Sequence, residues 1–309
     1  MINFLYCFDK FYVNQAKASI NSLLDKVSEK IVINVICDHK KSSLEVYDTF
    51  NDHQMVDRLN IYNFESSDYD FPKLDGAHVS SATYFRILID RFIPGDVKNI
   101  VYLDADIICL EDPIESLKNI SKDLNTQNIA LAAFTEGTRN QAPILFDKLK
   151  LKNDIYFNAG VLIINYNYWL KKSIGDSLLD IMEKRHEDLI FWDQDLLNIY
   201  IDSSYIEIPK KLNYNYIELE TLENKDVTFL HYAGKDKPWE VQNIVSEFSQ
   251  YYQKNYSKLK HEEYHIVFEK NKKHILGFIK ILLKLEFLKL EKPIAYLKLS
   301  IKAIFNNGR

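Results

Sequence analysis

At 309 residues, 47% hydrophobic and 13% aromatic, the chain can bury a full core as one large domain, or as a domain with an appendage. Its net charge of −5 hides a division: residues 270–309 carry nine lysines and one arginine against two glutamates, a net +8, which leaves −13 on residues 1–269. So acidic a body lacks the basic face that nucleic acid requires, and Cys7, Cys37 and Cys109, without paired spacing, read as buried thiols in a reducing, cytosolic setting.

The first residues, Met1 to Phe8, meet Asp9 without a basic leader and read as a strand over Asn3–Phe8 rather than a signal peptide. A helix is predicted at Gln15–Lys26, a β-branched strand at Ile31–Cys37, a helix at Ser42–Leu59 and a short strand at Ile61–Phe64. Such alternation implies right-handed crossovers, a mainly parallel sheet and a ligand beyond the strand ends. After a loop at Asp75-Gly76, Tyr84, Phe85, Leu88, Ile89 and Phe92 share one face of a helix predicted over Val79–Phe92. Then come Ile100–Leu103, a buried strand, and Ile129–Ala133, another. Thr135–Asp154 reads as an irregular functional loop, Val161–Asn165 as a strand, Ile174–Glu187 as a helix, and Asp193–Ile199 as a helix with Asp193 as a possible N-cap. Asn213–Tyr216 lacks any period and is expected to be a loop, and Val227–Leu230 a short strand. No apolar run reaches the roughly 18 residues of a spanning helix.

The chain is organised around Ile100 to Leu110, where two carboxylates, Asp104 and Asp106, stand one residue apart at the end of the central strand. Hard oxygen ligands at that edge suit a divalent cation bearing a phosphate. Asp-x-Asp also occurs at Asp68/Asp70 and Asp193/Asp195, but only Asp104/Asp106 follows an apolar run that must be buried.

Four ordered motifs, Leu103-Asp104-Ala105-Asp106, Tyr156-Phe157-Asn158-Ala159-Gly160-Val161, Trp192-Asp193-Gln194-Asp195 and His231-Tyr232-Ala233-Gly234-Lys235-Asp236-Lys237-Pro238-Trp239, resemble glycosyltransferase family 8, with the closest likeness to bacterial lipooligosaccharide α-galactosyltransferases. The resemblance covers about residues 1–245 and implies a GT-A fold (an α/β, Rossmann-like domain), a UDP-hexose donor, Mn²⁺, and transfer with retention of configuration. Galactose is the favoured sugar and glucose the alternative; the acceptor would be a saccharide, lipooligosaccharide or another cell-surface glycan. Carried over by the same resemblance, Asp104, Asp106 and His231 are the metal ligands, and the imidazole shifts preference from Mg²⁺ towards Mn²⁺. Lys237 and the backbone at Gly234 would hold the diphosphate, and Arg86 would lie near the donor. Asn158, Asp193 and Gln194 would surround the transferred sugar, with Gln194 nearest the anomeric carbon. Asp9 matches the residue that meets the uracil ring, although the family often has two adjacent acids and a following Asn where this chain has Asp9-Lys10-Phe11.

Each residue also has an ordinary reading: His231 as a strand-end histidine, Arg86 as a surface ion pair, Asp193 and Asp195 as capping residues complementing a helix dipole. As a whole, the chain has two rival readings. One is a haloacid-dehalogenase-like phosphohydrolase, which also places Asp-x-Asp after an apolar strand but matches only that stretch. The other is a sugar-nucleotide or glycan-binding module without turnover. From about His261 the character changes. Residues 1–260 are expected to form the catalytic domain, and residues 261–309 two basic amphipathic helices that attach peripherally to an anionic membrane surface, the inner face of the bacterial cytoplasmic membrane. The alternative is a helical pair docked on the body or on a second subunit.

Overall fold

A computed structural model describes residues 1–65, 71, 81–218, 221–222, 225–260, 262–269 and 271–305. The Asp68/Asp70 pair, the predicted Asp75-Gly76 loop and the predicted helix start at Val79 lie outside the described residues. In chain order the first elements are β1 (Asn3–Phe8), α1 (Val13–Leu24), β2 (Ile31–Cys37), α2 (Lys40–Phe50), β3 (Val56–Asn63) and a 3-10 segment, Ser81–Arg91. They continue with β4 (Asn99–Leu103), β5 (Ile107–Cys109), α3 (Ile114–Gln127), β6 (Leu131–Thr138), α4 (Pro143–Lys148), β7 (Ile155–Asn165), α5 (Tyr166–Lys171), α6 (Ile174–Arg185), α7 (Trp192–Ile201) and β8 (Ile206–Glu207). The last are β9 (Tyr214–Asn215), β10 (Phe229–His231), α8 (Glu247–Lys260), α9 (Lys272–Leu283) and α10 (Pro293–Phe305).

Among the described residues, seven strands form the main sheet in the order β3-β2-β1-β4-β7-β6-β8. β3, β2, β1 and β4 run parallel, and β7 lies antiparallel between β4 and β6. Along β1, Phe4, Tyr6 and Phe8 point into the core shared with α1, α2 and α3, whereas Leu5 and Cys7 point into the core shared with Ser81–Arg91, α6 and α7. That alternation buries both faces of the sheet and makes the architecture three-layered, as the continuous apolar runs of β1 and β2 require. The chain goes from β1 to β2 on one side and returns to β4 on the other. The carboxyl ends of β1 and β4 therefore flank a switch point, where open α/β sheets bind ligands.

Two long predicted segments prove composite. The helix expected over Ser42–Leu59 stops at Phe50, because Asn51 and Asp52 form a turn and the chain from Val56 enters the sheet beside β2. The loop expected over Thr135–Asp154 contains the end of β6 and the helix α4, which starts at Pro143 and buries Phe146. The Asn213–Tyr216 loop contains β9, which pairs with β10 and completes a small sheet, β5-β10-β9.

Both tail helices form, and they pack on the segment that follows β10. Phe278, Ile281, Leu290 and Tyr296 share a core with Val241 and Ile244, and the Tyr296 hydroxyl donates to the Val241 carbonyl at 3.0 Å. Lys273 ion-pairs with Asp236 at 2.8 Å and Glu240 at 2.9 Å, so this lysine of the basic tail faces the body. A second apolar stripe, with Leu276, Ile279 and Leu283 on α9 and Ile294, Ile301 and Phe305 on α10, stays exposed.

Candidate active site

The site begins where β4 ends. The N–H of Asp104 still donates to the Gly160 carbonyl of β7 at 2.8 Å; the chain then turns, with the Ile107 N–H donating to the Asp104 carbonyl, and starts β5. In the small sheet His231 stands opposite Ile107, and the Tyr232 N–H donates to the Asp106 carbonyl at 3.1 Å. This register brings a histidine 125 positions downstream of Asp106 in the sequence beside both carboxylates.

Each carboxylate has one oxygen engaged by the protein and one turned inward. Asp104 Oδ1 accepts from the Tyr102 hydroxyl at 2.5 Å and from Arg86 at 3.1 Å, and Asp106 Oδ2 accepts from Lys237 Nζ at 2.5 Å. The inward atoms converge: His231 Nε2 lies 3.8 Å from Asp104 Oδ2 and 3.4 Å from Asp106 Oδ1. Asp106 Oδ1 is buried without a hydrogen-bond donor of ordinary geometry. Burial pushes the Asp106 carboxyl up, but the Lys237 ammonium, the largest opposing influence, holds it well below the usual carboxylate range. Two hard oxygens and an imidazole nitrogen, all within 4.8 Å of one another and one of them an orphaned acceptor, fit a divalent cation.

Close approach on the other side of the imidazole depends on Gly160. A Cβ there would stand 2.3 Å from His231 Cε1 and 2.9 Å from Nδ1. Gly234, in the turn beyond β10, has φ of +88°, a left-handed conformation that glycine adopts without steric cost. Lys237, three residues on, donates to the Tyr232 carbonyl at 2.8 Å as well as to Asp106, so in this structure its ammonium is held against Asp106.

Arg86 ties the Asp104–Asp106–His231 cluster to Asp193, one of the residues expected to surround the sugar. Buried, it donates to the Ala159 carbonyl at 2.6 Å, lies over the Tyr102 ring, and contacts Asp193 at 2.5 Å as well as Asp104. It is therefore no surface ion pair. Burial opposes its charge, but Asp104 and Asp193 outweigh that and strengthen its hold on the proton. Asp193 does not cap α7: Phe191 occupies the cap position and the Asp193 carboxylate turns inward to Arg86. Burial pushes its carboxyl up to about 7 against the pull of Arg86. The residue before it, Trp192, has φ of +51°, a strained conformation for a non-glycine residue. Asp195, wholly buried, clamps the bend: Oδ2 accepts from the Ile190 and Phe191 N–H groups, and Oδ1 from the Tyr156 hydroxyl.

Gln194, next to this clamp, is fixed in orientation. Its Oε1 accepts from the Ala159 N–H at 2.9 Å, and its amide group donates to Glu136 and to the Tyr156 hydroxyl, each at 3.2 Å. Asn158 Oδ1 accepts from the Gly160 N–H and from Asn213 Nδ2, both at 2.9 Å, and Asn213 Oδ1 faces His231 Nδ1 at 2.8 Å. Asp9 lies at the end of β1, where Oδ1 accepts from the Phe11 and Tyr12 N–H groups and shapes the entry to α1. The structure thus brings together Arg86, Asp104, Asp106, Asn158, Asp193, Gln194, His231 and Lys237 in one contact network, with Gly234 in the adjoining turn and Asp9 at the neighbouring strand end. Sequence reasoning missed Tyr102, Glu136 and Asn213; a tyrosine two residues before Asp104 on one strand face is the one local signal among them.

A three-layer, largely parallel α/β sheet with an Asp-Asp-His group at its switch point is the architecture of a GT-A fold. A crystal structure of the galactosyltransferase LgtC in complex with donor and acceptor sugar analogs shares this fold, with a TM-score of 0.71 over 84% of this chain and 96% of that one, at 18% identity. The model of Glycosyl transferase family 8 matches residues 3–243, and the chain belongs to that family. Among curated relatives, the lipopolysaccharide 1,3-galactosyltransferase of Salmonella typhimurium is 30% identical over 173 residues, 51% of this chain and 49% of that protein. A putative glycosyltransferase of Haemophilus influenzae is 25% identical over 77% of this chain and 73% of its own length. Glycosyltransferase GlyF of Streptococcus pneumoniae is 27% identical over 55% of this chain, which spans only 40% of that relative.

Proposed function

We propose that the chain is a retaining hexosyltransferase that moves a hexose, galactose in preference to glucose, from a UDP-sugar to a saccharide acceptor on lipooligosaccharide or another cell-surface glycan. The observation that carries the reading is the convergence of Asp104 Oδ2, Asp106 Oδ1 and His231 Nε2, with Arg86 linking that cluster to Asp193 beside Gln194. Asp104, Asp106 and His231 would hold Mn²⁺, which when bound supplies Lewis-acid neutralisation of the leaving diphosphate. Lys237 and the backbone at Gly234 add a point charge and an N–H group for the same diphosphate, and Asp9 reads the uracil ring. Asn158 and Asp193 hold sugar hydroxyls.

In the proposed reaction the bond from the anomeric carbon to the diphosphate oxygen breaks and the bond to the acceptor oxygen forms on the same face. The acceptor proton passes to the departing diphosphate oxygen, and Gln194, held in place by Ala159, Glu136 and Tyr156, offers its carbonyl oxygen to the developing positive charge. Supporting this front-face course, Gln194 is an amide and hence a poor nucleophile, while Asp195 is enclosed by three donors and Asp193 lies against Arg86. The test is UDP release from a panel of UDP-sugars with and without Mn²⁺, followed by the anomeric configuration of the product. Release confined to UDP-hexoses, dependent on Mn²⁺ and giving an α-linked product, is expected; an inverted product would refute it.

The tail, residues 261–309, is part of the same reading: it attaches the catalytic unit, residues 1–260, to the anionic inner face of the cytoplasmic membrane. Its support is the exposed stripe on α9 and α10, where Leu283, Ile294 and Phe305 are each about 80% exposed among lysines of net positive charge. No helix among the described residues is long and apolar enough to cross a membrane.

A further inference from the structure

We infer that Asn213 is a positioning residue that fixes the tautomer of His231 and so aims its Nε2 lone pair at Asp104 and Asp106. The assignment follows from a chain of hydrogen bonds anchored on a backbone group. The Gly160 N–H can only donate, so the Asn158 atom that receives it at 2.9 Å is the carbonyl oxygen. That oxygen is also 2.9 Å from the Asn213 amide, which must therefore present its NH₂ group to Asn158. With its NH₂ so placed, Asn213 turns its oxygen to His231 Nδ1 at 2.8 Å, and Nδ1 carries the proton.

The consequence lies on the far side of the ring. A neutral imidazole with hydrogen on Nδ1 has a bare Nε2, and that atom meets the orphaned Asp106 Oδ1 at 3.4 Å and Asp104 Oδ2 at 3.8 Å. Three lone pairs thus face one another without a proton between them, an arrangement that a cation relieves. Asn213 and His231 are both buried, so water does not compete for the Nδ1 hydrogen. The short pairing of β9 with β10, which sets Asn215 opposite His231, keeps Asn213 alongside the ring. Gly160 completes the seat by leaving room for Cε1 and Nδ1. Orienting a histidine ligand through its other nitrogen is worth about 10- to 100-fold in metal affinity.

This inference rests on the metal-dependent reading above, and its test separates the two. Nitrogen NMR of the metal-free full-length chain, at a pH where the imidazole is neutral, should show His231 protonated at Nδ1. Mn²⁺ affinity, read from the free-ion electron paramagnetic resonance signal, should fall by about 10- to 100-fold in Asn213→Ala. Asn213→Asp keeps an acceptor for Nδ1–H but loses the donor to Asn158 Oδ1, so nitrogen NMR should still find the proton on Nδ1 in that variant even if Asn213→Ala folds poorly. A wild-type His231 protonated at Nε2, an unchanged affinity in Asn213→Ala, or a folded Asn213→Asp with His231 protonated only at Nε2 would overturn it. A wild-type chain that keeps the Nδ1–H tautomer but binds no Mn²⁺ would support the assignment and refute the metal-dependent reaction instead.

Discussion

Gly160→Ala is the most revealing single-atom-scale perturbation of this site. The added methyl would stand 2.3 Å from His231 Cε1, against 3.4 to 4 Å for ordinary contact, so the ring must retreat by at least about an ångström. Neither neighbour yields freely: His231 is held by Asn213 at 2.8 Å, and the Gly160 carbonyl accepts the Asp104 N–H at 2.8 Å. Overpacking a rigid site of this kind costs about 1–3 kcal/mol of stability. A displacement of about 1 Å in a catalytic group costs about 100-fold in rate. The variant should therefore unfold a few degrees below the wild type, bind Mn²⁺ much more weakly and transfer sugar about 100-fold more slowly. Gly95→Ala serves as the control, since its Cβ meets only Leu170 Cδ1 at 3.6 Å and lies away from the site. Calorimetric melting, Mn²⁺ titration and UDP release read the three effects. Wild-type metal affinity and turnover in Gly160→Ala would refute the placement of His231 against β7 and its role as a ligand.

Asp104→Ala and Asp106→Ala should each lower turnover by orders of magnitude, the loss of several kcal/mol of transition-state stabilisation, and chelator should mimic both in the wild type; full turnover of either variant in the presence of chelator would remove the metal assignment. Asp193 has a folded-state pKa of about 7, above the unfolded value of about 3.9. Between those values the folded chain binds more protons, so the Asp193 contribution to stability is present below about pH 4 and is lost as pH rises towards 7; Asp193→Asn should flatten that part of a denaturant-melt pH series, and an unchanged slope would count against the shift. Leu283→Asp combined with Ile294→Asp should preserve the melting temperature, because both side chains are exposed, and should abolish flotation with vesicles containing anionic lipid; retained flotation would assign the stripe another role. Deleting residues 261–309 should do more than release the membrane, since it uncovers Val241 and Ile244 and removes Lys273 from Asp236 and Glu240 on either side of Lys237; a truncated chain with wild-type stability and UDP release would show that the tail does not support that loop.

What could be read from the sequence was set by local chemistry. The apolar runs of β1, β2 and β4 are continuous because both faces of a parallel sheet are covered, and a run ending in Asp104-Ala105-Asp106 marks the edge where a ligand binds. The tail helices were likewise legible from their period. Errors fell where one segment changes structure without a strong breaker, as between Phe50 and Val56, and where strands are completed by a partner, as for β9. Tertiary structure alone decided the partners of the functional side chains. Asp193 has the sequence position of a helix cap, yet its carboxylate belongs to Arg86, which comes from a segment 107 residues earlier and lies buried between two aspartates. Asn213 sits in a stretch without period or motif, and only the small β5-β10-β9 sheet carries it to His231. Local sequence encodes which groups can ligate, donate or pack. Which lone pair faces which proton depends on register between strands far apart in the chain, and that is fixed only when the whole core closes.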